Sequence, residues 1–162
     1  MNLKNLTTML AAQSLLAGAA VAQTCTPSAG ALNDTSGTVT IDTCSSADQL
    51  TSICNSSTPI GNAPDTIYSI DGLVAINAGI NVRPAGYDAY VAVLQGTCSG
   101  GATCVRESDS NGAGGAETVS LAGLSPGNYF LLITSFAAAG NCGSTEVQPV
   151  PTPVALRSFS ID

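Results

Sequence analysis

Cys25, Cys44, Cys54, Cys98, Cys104 and Cys142 are the residues with the most obvious chemistry, and no histidine accompanies them. A zinc site is disfavoured, because no pair has C-x-x-C spacing and no imidazole exists to complete a mixed ligand set. An even number of cysteines behind an export signal reads instead as three disulfides. Cys98 and Cys104 bracket Ser99-Gly100-Gly101-Ala102-Thr103. Two glycines let so short a segment reverse, and a disulfide needs Cα atoms about 4.4–6.8 Å apart, so a local Cys98–Cys104 bond is expected. The other four then pair among themselves. Cys44 with Cys54 is nearest in sequence, which leaves Cys25 with Cys142.

Catalytic groups are scarce. Lys4 is the only lysine, so a serine nucleophile in the exported chain lacks both usual bases. Asp34-Thr35-Ser36-Gly37 approaches an aspartic-protease motif, but one residue is inserted and no second copy exists; Asx-turn chemistry accounts for it. Glu107, Asp109 and Glu117 are conceivable carboxylates for glycoside hydrolysis, which needs two of them across a cleft. They read more simply as solvated loop charges. Glu107-Ser108-Asp109-Ser110-Asn111-Gly112 sets oxygens at alternate positions, with Glu107, Asp109 and Asn111 as candidate calcium ligands. The distal bidentate glutamate of a calcium loop is missing, so a polar turn through Gly112, Gly114 and Gly115 is favoured. No cofactor is required by any motif, and calcium is the one ion the loop could take.

The ends and the charge bound the setting. Lys4, the apolar run Leu6 to Ala20 and Ala20-Val21-Ala22 form a signal peptide with a cleavage site before Gln23. Thr7, Thr8, Gln13 and Ser14 interrupt the run, which is too short to span a membrane. Beyond residue 22, Arg83, Arg106 and Arg157 face all eleven acidic residues. Nucleic acid and anionic lipid are therefore disfavoured as partners, since both need clustered Lys and Arg. Ser, Thr, Asn and Gly carry the polar surface, as suits an extracellular or self-associating protein.

The elements that must position these groups are strands. Gly, Pro and Asn punctuate the chain every few residues, and no convincing helix appears after the signal. Strands are expected at Thr38–Thr43, Thr66–Ile70, Leu73–Ile76 (continuing at Gly79–Val82), Ala89–Gln95, Thr118–Leu121, Asn128–Phe136, Thr145–Val150 and Val154–Ile161. Ala89–Gln95 and Asn128–Phe136 are apolar on both faces. They belong at the centre of a sheet whose second face is covered by a loop or a neighbour. The fold class is all-β: an antiparallel β-sandwich, jelly-roll-like, stapled by disulfides. Asp88 follows the turn Gly86-Tyr87 and is read as structural, accepting backbone N–H groups at the strand entry. Gln148-Pro149-Val150-Pro151-Thr152-Pro153 cannot be a central strand and reads as an extended linker.

The order of these motifs resembles the bacterial pre-peptidase C-terminal domain. The matching residues are Asp65 and Tyr68, then Tyr87-Asp88-Ala89-Tyr90-Val91, then Asp109 and Gly112, then Leu124-Ser125-Pro126-Gly127-Asn128-Tyr129-Phe130. The likeness covers about Cys44 to Val147. It implies a β-sandwich of roughly a hundred residues. It also implies an accessory role in secretion, substrate contact or surface attachment, with no catalytic residue to carry over. The expected organisation is a signal peptide at 1–22, an N-terminal strand region at 23–43, the sandwich at 44–148 and a proline-rich linker with a last strand at 149–162.

The expected function is that of a secreted, non-enzymatic module, extracellular or at the cell surface, that contacts a surface or extracellular polymer or associates with itself. A small carbohydrate-binding protein is the alternative, with Tyr68, Tyr87, Tyr90 and Tyr129 as stacking faces; the absence of tryptophan counts against it. A carboxylate-dependent hydrolase ranks last. The tail Val154–Ile161 is expected to pair with a sheet edge, and its short tether favours its own domain over a neighbouring copy.

Overall fold

The computed structural model describes residues 26–54, 60, 63–99, 102–136 and 141–151. Its strands are β1 (Val39–Asp42), β2 (Thr66–Ser69), β3 (Gly79–Pro84), β4 (Ala89–Gln95), β5 (Thr103–Ser108), β6 (Glu117–Ser120), β7 (Tyr129–Ser135) and β8 (Ser144–Val150). They form two antiparallel four-stranded sheets, ordered β1-β8-β3-β6 and β2-β7-β4-β5. That order is the strand order of a jelly roll, two sheets between which the chain alternates.

The core lies between the sheets. Ile80, Val82, Val119 and Val147 face Tyr68, Val91, Val93, Tyr129, Leu131 and Ile133. Alternation along β4 and β7 then sends Tyr90, Ala92, Leu94 and Leu132 to the opposite, outer face, where they join Ile67 in a second apolar cluster. Leu50, Ile53 and Ile60, from the segment between β1 and β2, cover that cluster. Two strands apolar on both faces, one face in the core and one beneath a cover, are thus what the sequence of β4 and β7 encodes.

Two disulfides close the described structure, Cys44–Cys142 and Cys54–Cys104, with Cα separations of 5.0 and 4.9 Å. This corrects the expected Cys98–Cys104 and Cys44–Cys54 pairs, and with Cys142 taken, Cys25–Cys142 as well. Cys98 is disulfide-bonded too, but to none of the other described cysteines. The reason is facial. Cys104 lies opposite Leu94, so its side chain joins the outer cluster, where the cover brings Cys54 to it. The bond closes a separation of 50 residues, which constrains the unfolded chain more than a six-residue loop. Disulfides belong to an oxidising, extracellular type of setting. No helix among the described residues is long and apolar enough to cross a membrane.

Three expected elements differ. Residues Asp71–Ala75 form a short helix, α1, not a strand. Leu73 and Val74 are both buried, which adjacent residues of a two-faced strand also achieve, so five residues do not reveal the helical period. Asp71 Oδ1 accepts the Tyr129 N–H at 2.6 Å and ties this turn to β7. Second, β8 runs through Pro149 although it lies between β1 and β3. β1 pairs only with residues 144–147, so at Pro149 β8 has β3 as its single partner and a missing N–H is tolerated there. Third, β1 and β8 belong to the same sandwich, so its strands span Val39 to Val150. The signal segment and Val154–Ile161 lie outside the described residues.

Candidate functional site

The outer face of the β2-β7-β4-β5 sheet gathers most of the groups that could do chemistry. Strand alternation explains this. Asp65 shares the parity of Ile67, Thr134 that of Leu132, and Glu107 lies opposite Ala92. These polar side chains therefore run in a row beside the apolar cluster, partly beneath the cover.

Asp65 is fully buried. Its Oδ2 accepts the N–H groups of Gln49 at 2.7 Å and Leu50 at 2.6 Å, and its own N–H donates to the Ala47 carbonyl at 3.0 Å. One carboxyl thus holds the start of the cover in place and seats Leu50. Burial pushes the Asp65 carboxyl up to about 6; the Leu50 and Gln49 N–H groups oppose this, and Asp48 adds to it. Its Oδ1 and the Thr134 Oγ1 are both buried without a hydrogen-bond partner. Sequence reasoning used Asp65 only as a family landmark. A carboxylate at an apolar-face position directly before a strand was the available signal.

At the other end of the row, the Tyr90 hydroxyl donates to Glu107 Oε2 at 2.5 Å and lies 3.8 Å from Cys54 Sγ. Burial, then Glu107 as bond partner and charge, then Asp109, raise the Tyr90 phenol above the usual range. The ligand atoms of Cys54, Cys104 and Glu107 converge within 4.8 Å. Both sulfurs are already bonded to each other, so they act as a covalent clasp on the cover and not as thiolate ligands.

Two of the three residues expected to hold calcium have partners within the protein. Glu107 turns to Tyr90, while the Asn111 amide donates to the Ala116 carbonyl at 2.7 Å. The turn closes on Glu117. That carboxylate is fully buried and accepts Ser108 Oγ–H at 2.5 Å, Ser110 N–H at 3.0 Å and Asn111 N–H at 2.8 Å. A Cβ on Gly115 would meet the Gly112 carbonyl at 2.8 Å, so glycine is required where the loop folds onto itself. Glu117 sits inside a turn and not across a cleft from Glu107. Asp109 is raised by burial first, then by Asp88 and Glu117.

Asp88 is structural through its main chain. Its carbonyl accepts the Phe136 N–H at 3.2 Å, extending the ladder beyond Ala89↔Ser135. Its carboxylate takes no backbone N–H among the described residues, and Oδ1 is buried without a partner. The expected side-chain cap is therefore corrected: the ladder already satisfies the strand entry, and carboxylates that accept backbone N–H groups are those of Asp42, Asp65, Asp71 and Glu117.

The four tyrosines are all inside. Tyr68 and Tyr129 pack in the inter-sheet core, with burial raising the Tyr68 phenol to about 12. Tyr90 lies under the cover, and Tyr87 is buried with its hydroxyl 2.7 Å from Thr145 Oγ1. None presents a ring for stacking a sugar. The chain matches no family model, no curated protein and no solved structure.

Proposed function

We propose that the chain is an exported, non-enzymatic jelly-roll module that works outside the cell or at its surface, contacting an extracellular polymer or further copies of itself. The observation that carries this reading is the employment of its reactive groups. Asp65 and Glu117 hold backbone, Tyr90 and Glu107 hold each other, and Cys54 and Cys104 hold the cover. A catalytic constellation needs a nucleophile, base or acid free to meet substrate, and these groups are committed to the fold. The order of motifs, which resembles that of the pre-peptidase C-terminal domain, points the same way, to an accessory module. The carbohydrate-binding alternative has less support, because the tyrosine faces it would use are buried.

The test uses the full exported chain. Retention on insoluble cell-envelope material, binding on a glycan array and turnover of chromogenic peptide, ester and glycoside substrates are measured side by side. Retention or self-association without turnover is the expected result. Turnover that disappears in Glu107→Gln or Asp109→Asn would overturn the reading.

A further inference from the structure

Among the described residues, three of the four edge strands are blunted and one only at its end. The edges are β1, β6, β2 and β5. Residues 28–32 run along β2: Ala29 N–H donates to the Ile67 carbonyl at 3.0 Å, Leu32 N–H to the Ser69 carbonyl at 2.9 Å, and Ser69 N–H to the Gly30 carbonyl at 2.9 Å. β5 carries an irregularity in its pairing at Val93/Leu94, with Arg106 and Glu107 in its middle. The Arg106 guanidinium reaches across to β6, donating to the Ser120 carbonyl at 2.9 Å and the Ala122 carbonyl at 3.0 Å. Bulges, charge and a covering segment are the ordinary means of protecting an edge.

β1 has protection only at its end, where Asp42 carries a charge and its carbonyl accepts the Ser45 hydroxyl at 2.7 Å. It pairs with β8 on one side only. Thr38-Val39-Thr40-Ile41 is uncharged. The Asp42 carboxylate is turned to the Cys44 N–H at 3.0 Å, capping the short 3-10 turn at Thr43–Ser45. Unpaired N–H and C=O groups on such an edge are a template for one more strand.

We propose that the β1 edge accepts residues 154–161 of a neighbouring copy of this chain. The inference rests on the self-associating form of the reading above. The position at which β8 ends carries it. Val147 lies opposite Val39, so Val150 is already three residues beyond the first residue of β1. To reach the outer edge of its own β1, the chain would have to reverse within residues 151–153 and pass over the segment entering that strand. Pro151 and Pro153 occupy two of those three positions, and proline holds the backbone extended with its φ fixed. A continuation of that kind would lead away from the home sheet. Val154 to Ile161 contains no proline, supplies Leu156, Phe159 and Ile161, and carries Arg157 as its single charge on an otherwise acidic chain. The contact joins two different surfaces, so it propagates instead of closing into a two-fold dimer.

The test is complementation between a truncated and a full-length variant in analytical ultracentrifugation. A chain lacking 152–162 keeps the acceptor edge. Thr40→Lys, at an exposed position, keeps the tail but charges the edge; Thr38→Lys replaces it if circular dichroism shows Thr40→Lys to be unfolded. Intact chains should form a concentration-dependent series of sizes. Each variant alone should remain monomeric, and an equimolar mixture should form a heterodimer. Three results would overturn the proposal: a mixture that stays monomeric, a truncated chain with the size distribution of the intact one, or an intact chain monomeric throughout whose truncation only lowers the unfolding midpoint. The last would place the tail on its own domain. Envelope retention by the truncated chain is measured in parallel, so loss of association with retention intact separates this contact from the module's polymer binding.

Discussion

Replacing Asp65 by asparagine should tilt the pH dependence of stability by an amount the structure lets us state. The Asp65 carboxyl is raised from its ordinary 3.8 to about 6, chiefly by burial. A folded state with the higher value binds the proton more tightly than the unfolded chain. The stabilisation from protonation is therefore complete below about 3.8, declines as pH rises between 3.8 and about 6, and is gone above that. At about 1.36 kcal/mol per pH unit, the swing is roughly 3 kcal/mol. Asparagine keeps the shape, and its Oδ1 can still accept the Gln49 and Leu50 N–H groups, but it does not titrate. Other carboxylates also titrate in this range, so the useful quantity is the difference between wild type and Asp65→Asn. Urea unfolding with disulfides intact, at several pH values spanning the window, gives that difference from midpoint and slope. The variant should gain about 3 kcal/mol relative to wild type on going from the acid end to neutrality. Amide exchange at Gln49 and Leu50 should follow the same curve. A flat difference would refute the argument. So would a tilt of opposite sign, which would mean that the two N–H donors outweigh burial and that Asp65 is folded as a stable carboxylate.

Replacing Cys54 and Cys104 together by serine should cost about 4 kcal/mol in the chain-entropy treatment of a loop this long, read as a lower urea midpoint; non-reducing peptide maps of the wild type should contain a joined Cys54–Cys104 fragment. Glu117→Ala leaves Ser108 Oγ, Ser110 N–H and Asn111 N–H without their acceptor. A loss of roughly 3 kcal/mol or more is expected by calorimetry or chemical unfolding, with Glu117→Gln intermediate. Arg106→Ala should lower stability by about 1 kcal/mol and raise aggregation measured by light scattering, because the Ser120 and Ala122 carbonyls and two strand edges lose their cover; lysine, with a single ammonium, should rescue this only in part.

How far the sequence carried can be seen in individual residues. β4 and β7 were legible because Tyr90-Val91-Ala92-Val93-Leu94 and Phe130-Leu131-Leu132-Ile133 are short apolar runs, rich in β-branched and aromatic residues and bounded by turn signals, the pattern of a strand buried on both faces. The cover over their outer face followed from the same fact. α1 was not legible, since a single turn holding Leu73 and Val74 is too short to show a period. Disulfide pairing escaped for a different reason. Nearness in sequence says nothing about the face of a sheet, and Cys104 faces outward to a segment fifty residues earlier. The closing of the Glu107–Glu117 turn was hidden similarly. Glu107, Asp109 and Asn111 alternate along the chain like ligands, but Glu117 draws the turn's N–H groups inward. Asp65 and Asp71 matter more than Asp88 because their partners, Leu50 and Tyr129, are brought to them by long-range packing.

The central claim is that the polar groups of the outer face serve the fold and not a reaction or a ligand. Glu107 tests it most directly, being the exposed carboxylate that Tyr90 holds from beneath the cover. Unfolding midpoint, envelope retention and substrate turnover are measured for Glu107→Gln and wild type at a temperature where both are folded. The account predicts a lower midpoint, unchanged retention and no turnover in either chain. An unchanged midpoint together with lost retention or lost turnover would contradict it.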